Sequence, residues 1–315
     1  MEKITIVIPT YNESSGVELL YNVLSSTLRM NGISYELLFV DDGSADDTVE
    51  IIKSLPVKEN LEVSVLELSK NYGHQVALRA GYRAAEGDAI VCMDADLQHP
   101  PAVVNEMIDK YKSGYEIVCG IRDDSSLSPS FKKRTSELFY KVWSWLTDVN
   151  LEPGSSDFRL LSKRVLGEVN AYDEKYLFLR GLIPQMGYES YSLHYKPNDR
   201  EYGESKYSLK KMLSLSKNGI LWGSIKPLRL ASILAFATAM VSVMFGFYTI
   251  FTYFFGDGVV PGWASIVSII SFVGSLQLFA IGIVGEYLGQ VLNEVRNRPL
   301  YHVNSLSKVE EDKNK

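Results

Sequence analysis

The chain has 315 residues, with 32 Lys+Arg against 38 Asp+Glu, a net charge of -6 and 46% hydrophobic residues. That length suits one large domain with an attachment, or two domains, and the apolar share excludes a disordered or fibrous chain. The negative balance argues against a nucleic-acid binder, and two cysteines, Cys92 and Cys119, are too few to build a disulfide framework or a zinc site.

The N-terminal "KITIVIP" is a short β-branched run and reads as a strand rather than a signal peptide. Residues 14–30 read as a helix, "YELLFVDDGS" as a second strand and 45–54 as a helix opened by Asp46 and Asp47. "LEVSVLEL" is a third strand, 73–86 an Ala-rich helix and "DAIVCMDAD" a fourth strand. A helix over 101–113 and a fifth strand, "EIVCG", follow. Both cysteines fall in these apolar strands, which predicts buried, reduced thiols and a cytoplasmic location. Strands alternating with helices predict a mostly parallel α/β sheet of Rossmann-like type. Beyond it, 131–147 reads as an aromatic-rich helix and "DFRLLSK" as another strand.

Residues 207–222 place Leu209, Met212, Leu213 and Ile220 on one helical face and Lys210, Lys211 and Lys217 on the other. That pattern suits an amphipathic helix in a membrane interface, here assigned to 207–228. Residues 230–256 and 258–285 carry no charged residue, and each exceeds the roughly 20 apolar residues that span a bilayer. A Gly/Pro turn with Asp257 joins them, so 229–288 reads as a two-helix transmembrane hairpin with spans at about 230–255 and 263–286. Lys and Arg crowd both flanks and are missing from the connector, which puts both termini in the cytoplasm. The organisation is therefore a catalytic domain at 1–206, the interfacial region, the hairpin and a polar cytoplasmic tail at 289–315, mobile after Tyr301.

In a parallel sheet, ligands gather beyond the carboxyl ends of the strands. Those ends carry Pro9, Tyr11 and Glu13; Val40, Asp41 and Asp42; and Asp94, Ala95, Asp96 and Gln98. No GxGxxG follows the first strand and no GxxxxGK[ST] occurs, which argues against a dinucleotide cofactor and a P-loop ATPase. Asp94, Asp96 and Gln98 can offer several oxygens to one hard cation such as Mg²⁺ or Mn²⁺, which commonly also binds substrate phosphates. An acidic edge beside a membrane hairpin points to a nucleotide-diphosphate substrate and a lipid partner.

"IVIPTYNE", "FVDDGS", "NYGHQVALRAGYRAAEGDAIVCMDADLQHPP", "DFRLLSK" and "REYGESKY" resemble glycosyltransferase family 2. More narrowly, they resemble its polyprenyl-phosphate glycosyltransferases, the group of bactoprenol glucosyltransferases and dolichyl-phosphate mannose synthase. The resemblance implies a GT-A fold, a divalent metal and inverting transfer of one sugar from a nucleotide-sugar to a polyprenyl phosphate. UDP-glucose is the expected donor, with UDP-GlcNAc, UDP-galactose and GDP-mannose as alternatives. Carried over, Pro9, Tyr11, Glu13, Val40 and Asp42 contact the nucleotide. Asp94, Ala95 and Asp96 line the diphosphate, and Asp96 and Gln98, with Asp94 as a further candidate, ligate the metal. Arg122, Arg134, Arg200, Ser205 and Lys206 bind donor or acceptor phosphates, and Asp157 stands where the family suggests a catalytic carboxylate. The lipid bilayer is the expected environment, and aromatic helices beside a hairpin favour a homo-oligomer. A polysaccharide-extending synthase is the competing reading, but two spans are few for an export channel and a QxxRW motif is absent. A silent nucleotide-sugar-binding scaffold is a third, opposed by intact Asp94, Asp96 and Gln98.

Overall fold

The computed structural model describes residues 2–123, 147, 152–175, 177–198, 224–255 and 262–309. Its centre is an eight-stranded mixed sheet in the order β7-β5-β6-β4-β1-β2-β3-β8. The first half is parallel: β1 (Glu2–Thr10) lies between β2 (Ile33–Asp41) and β4 (Ala89–Cys92), and β3 (Leu61–Leu68) follows β2. The second half turns antiparallel where β6 (Ser155–Ser162) runs between β4 and β5 (Ile117–Arg122). β7 (Ser190–Tyr195) then closes that edge, parallel to β5.

The central strands are mostly apolar because both faces of the sheet are covered, and their buried polar residues Thr5 and Ser64 both donate to Glu36. In β1, Ile4, Ile6 and Ile8 feed one core cluster while Val7 feeds the other, the two-residue alternation of a strand. The first cluster includes buried side chains of α1 (Val17–Thr27) and α4 (Pro101–Lys112); α2 (Thr48–Lys53) adds Ile52. The second includes side chains of α3 (His74–Ala84), α5 (Lys163–Ala171) and α6 (Leu179–Gln185). Gly81 lets α3 approach the sheet closely, since a Cβ there would stand 2.3 Å from Val7 Cγ1. Cys92 is buried, Cys119 is partly so, and both thiols are free.

Two long helices follow, α7 (Lys226–Phe255) and α8 (Trp263–Arg296), each containing a stretch long and apolar enough to cross a membrane. Large apolar side chains such as Phe236, Phe247, Phe272 and Leu278 face outward, as they would toward lipid. α8 continues to Arg296, past the point near 286 where the run of uncharged residues stops.

The tail differs from the sequence expectation. Residues expected to be mobile after Tyr301 instead form β8 (Val303–Lys308), antiparallel to β3 from Ser64↔Lys308 to Leu68↔Val303. Backbone bonds from Ser69 N to His302 O (3.0 Å) and from Val309 N to Val63 O (2.8 Å) extend the pairing. The ladder satisfies the open edge of β3, and polar cross-strand contacts such as Ser305 Oγ to Glu67 (2.7 Å) suit a solvent-facing edge strand.

Candidate active site

Three strand ends meet at one edge of the sheet. After β1, Asn12 adopts a left-handed conformation, and its backbone N–H donates to Ser44 Oγ (2.9 Å). Its side-chain carbonyl accepts from Ala45 N (2.9 Å), which ties the first strand end to the second. Pro9 and Val40 are buried walls, Glu13 is half-buried and the ring of Tyr11 is exposed. Asp42 is almost wholly buried and accepts the backbone N–H groups of Tyr72 (2.7 Å) and Gly73 (2.8 Å). Burial pushes its pKa up, against the pull of those two bonds. Asp42 thus pins the loop that leads into α3. Beside it, Gly43 sits at φ +71°, with Lys70 backbone so close that a Cβ would fall 2.4 Å from the carbonyl carbon.

The third strand end is the "DADLQ" turn. Leu97 is left-handed, and Gln98 N donates to Asp96 Oδ1 (3.2 Å), which closes the turn tightly. Asn198 fastens it from outside through Leu97 O (3.2 Å) and Gln98 O (3.2 Å). Arg122 Nη1 donates to Gln98 Oε1 (2.9 Å) and so orients the amide. His99 is stacked on Phe158, with ring centroids 4.5 Å apart, and burial lowers its pKa despite nearby carboxylates. Its Nδ1 therefore accepts from Asp94 N (3.1 Å) as a neutral ring.

Among the described residues, Asp94 Oδ1 is a buried atom that accepts no hydrogen bond. An orphaned carboxylate oxygen, a second carboxylate and an amide on one turn form a hard-oxygen donor set that fits Mg²⁺ or Mn²⁺. Among the described residues, no group of three His, Cys, Asp or Glu side chains could hold a metal.

Asp157 lies at the floor, 2% exposed. Arg180 grips it through Nε to Oδ1 (3.0 Å) and Nη2 to Oδ2 (2.8 Å), and Gln75 Nε2 donates to Oδ2 (2.8 Å). Burial would raise its pKa, but the Arg180 charge and the hydrogen bonds overwhelm that and hold it well below the usual carboxylate range. His74 Nε2 stands 3.5 Å from Asp157 Oδ2 and 3.7 Å from Asp94 Oδ1 and links floor and turn. Burial works to lower the His74 pKa, yet its carboxylate neighbours carry it upward.

The structure thus brings together Pro9, Tyr11, Glu13, Val40, Asp42, Asp94, Ala95, Asp96, Gln98, Arg122 and Asp157 around one edge. Arg134, Arg200, Ser205 and Lys206 lie outside the described residues, as do the helix expected over 207–222, the hairpin connector and all but Thr147 of the helix expected over 131–147. His74, Gln75, His99 and Arg180 were not assigned from the sequence. The first three sit inside the motif-bearing stretch 71–101, whereas Arg180 lies in a segment where no motif marks it.

The family model described as "Glycosyl transferase family 2" matches residues 5–169, and that of the "GtrB C-terminal hairpin" matches 226–291. The chain is 38% identical to "Uncharacterized glycosyltransferase YkcC" of Bacillus subtilis over 95% of its own length and 92% of the relative's. It is 34% identical to the "SfII prophage-derived bactoprenol glucosyl transferase" of Shigella flexneri, covering 95% and 96%. Among solved structures, a mannosyltransferase from Pyrobaculum calidifontis, in complex with GDP-Man and Mn²⁺, matches with a TM-score of 0.47 and 13% identity, covering 91% of this chain and 87% of that one.

Proposed function

The chain belongs to glycosyltransferase family 2, and from that premise we propose that it transfers a single glucose from UDP-glucose to undecaprenyl or another polyprenyl phosphate. The reaction takes place at the cytoplasmic face of the cell membrane, for modification of cell-envelope glycan. The observation that carries this reading is the union of two features in one sheet: an acidic strand-end edge and an apolar helical hairpin whose exit strand, β8, pairs with β3. Relatives named as bactoprenol glucosyl transferases, matched over nearly their whole length, support the acceptor class and the sugar.

Tyr11 offers an exposed ring beside the buried walls Pro9 and Val40, and Glu13 and Asp42 supply polar contacts for a nucleoside. Asp94, Ala95 and Asp96 face the diphosphate. Asp96 and Gln98, with Asp94, would hold Mg²⁺ or Mn²⁺, which neutralises charge on a departing nucleoside diphosphate. Arg122, beside them through its bond to Gln98 Oε1, is a phosphate contact in this reading. Arg134, Arg200, Ser205 and Lys206 complete the phosphate contacts in this reading.

The acceptor is a phosphate monoester with a second pKa of ~6, so it is mostly dianionic at neutral pH. It attacks the anomeric carbon without needing a strong general base, unlike a sugar hydroxyl. In-line displacement from the opposite face turns an α-linked donor into a β-linked lipid product. The hairpin keeps the enzyme in the leaflet that holds its acceptor, which raises their effective concentration. Basic flanks and an uncharged connector support cytoplasmic termini.

The test offers labelled UDP-glucose, UDP-GlcNAc, UDP-galactose and GDP-mannose to membranes containing the protein, with and without a chelator. Chelator-sensitive label from UDP-glucose should appear in the polyprenyl-phosphate lipid fraction. Label from another sugar would correct the donor; no lipid label from any of them would refute the reading.

A further inference from the structure

A catalytic base needs an oxygen that can reach a proton and a pathway that delivers one. Asp157 has neither. Its Oδ1 accepts Arg180 Nε, and its Oδ2 accepts both Arg180 Nη2 and Gln75 Nε2, all within 3.0 Å. The residue is 2% exposed, and the buried guanidinium of Arg159 stands 3.8 Å from its Oδ1. A proton arriving on Asp157 would have to displace these donors and strip two guanidinium groups of their counter-charge. The depressed pKa agrees with the geometry.

Arg180 is placed differently. It is the second residue of α6, behind the fully packed Leu179, and its side chain is 27% exposed. A bidentate fork on a buried carboxylate holds a guanidinium in one plane. His74 connects that fork to Asp94, so the pair stands one side chain from the acidic turn. An arginine fixed in this way, part buried and part open, has the chemistry that recognises phosphate oxygens.

We propose that Asp157 is a positioning residue: it clamps Arg180, and Arg180 binds a phosphate of the substrate pair. This rests on the reading of the site as one for glycosyl transfer to a phosphate. The phosphate belongs either to the donor diphosphate or to the acceptor monoester, and kinetics distinguish the two.

The experiment compares the full-length protein with Arg180→Gln, Arg180→Lys, Asp157→Asn and the Asp157→Asn/Arg180→Gln double variant. Loss of a charged hydrogen-bond donor should lower kcat/KM by ~10- to 100-fold in Arg180→Gln, with the rise in KM confined to whichever substrate carries the phosphate. Arg180→Lys keeps charge but not the fork and should recover part of the loss. Asp157→Asn should add less than ~3-fold in the Arg180→Gln background, because groups acting through one contact are non-additive. An acid limb of the pH profile should persist in Asp157→Asn, its position moved by loss of the carboxylate charge beside His74. Losses that multiply in the double variant, or an acid limb that vanishes with Asp157→Asn, would make Asp157 the base and overturn the proposal.

A binding arm stands apart from turnover. Inorganic pyrophosphate and farnesyl phosphate are titrated by thermal shift against wild type, Arg180→Lys and the double variant. Weaker binding of either probe in the double variant supports the clamp and names the phosphate; unchanged binding of both overturns it. If wild type transfers no sugar to lipid, the functional reading fails on its own, and this arm still decides the role of Arg180. Should Arg180→Gln alone unfold by leaving Asp157 uncompensated, the double and Arg180→Lys variants carry the comparison.

Discussion

Gly43→Ala tests how the site edge is held together. Gly43 is left-handed at φ +71°, and the added Cβ would fall 2.4 Å from Lys70 C and 2.7 Å from Asn71 N. Ordinary contact begins at 3.4 Å, so the 69–73 loop must retreat by about 1 Å. That loop is tied down by Asp42 through Tyr72 N (2.7 Å) and Gly73 N (2.8 Å). A retreat of that size carries one or both bonds beyond hydrogen-bonding range. Losing one to two charge-assisted bonds costs about 2–4 kcal/mol, and the left-handed backbone adds about 1 kcal/mol. For a domain of this size the total corresponds to a fall in Tm of roughly 5–15 °C. The assay is thermal unfolding of the detergent-solubilised protein, with and without UDP, beside the donor KM. The stabilisation by UDP should shrink and the donor KM should rise. A Tm within about 2 °C of wild type, with unchanged donor KM, would refute the view that Asp42 and this loop are one rigid unit.

Asp96→Ala should abolish metal-dependent transfer while leaving Tm near wild type, because Asp96 lies on a turn rather than in the core; normal turnover and metal response would remove it from the donor set. Cysteine at Asp257 should react with an impermeant thiol reagent applied outside intact cells, and labelling only after lysis would reverse the topology. Asp157 has a folded pKa well below its ordinary value, so its stabilisation is complete above about pH 4 and fades as pH falls toward the folded pKa. The stability gap between wild type and Asp157→Asn, measured by denaturant unfolding, should therefore be present at pH 5 and close below about pH 4. A gap unchanged at pH 3 would contradict the paired carboxylate.

The parallel strands were legible because both faces of the sheet are covered. "KITIVIP" and "YELLFV" have no exposed side to blur their apolar runs. The acidic turn was legible for a local reason, since Asp94, Asp96 and Gln98 follow one buried strand. Arg180 was not, because its meaning comes from Asp157, 23 positions away and across a helix. Gln75 reaches the same carboxylate across 82 positions. β8 hid for a similar reason. Its "VNSLSK" has little apolar content, and a polar edge strand draws its stability from a backbone ladder to β3, which no local pattern announces.

β8 also changes how the enzyme can stand on its membrane. The chain enters the hairpin at Lys226, whose Nζ bonds to Thr147 O (3.2 Å), and Tyr287 of α8 reaches back to Ser224 O (2.7 Å). It leaves through α8 and is stitched at once into the far rim of the sheet, with Lys175 N held by Glu294 (2.7 Å) on the way. A body on one leash can swivel; a body on two posts keeps its height and heading. With the uncharged stretch in the bilayer, the segment from Glu286 to Arg296 forms a pedestal about 16 Å tall. Held at both entry and exit, the sheet has less freedom to tilt against the hairpin than it would on a single attachment.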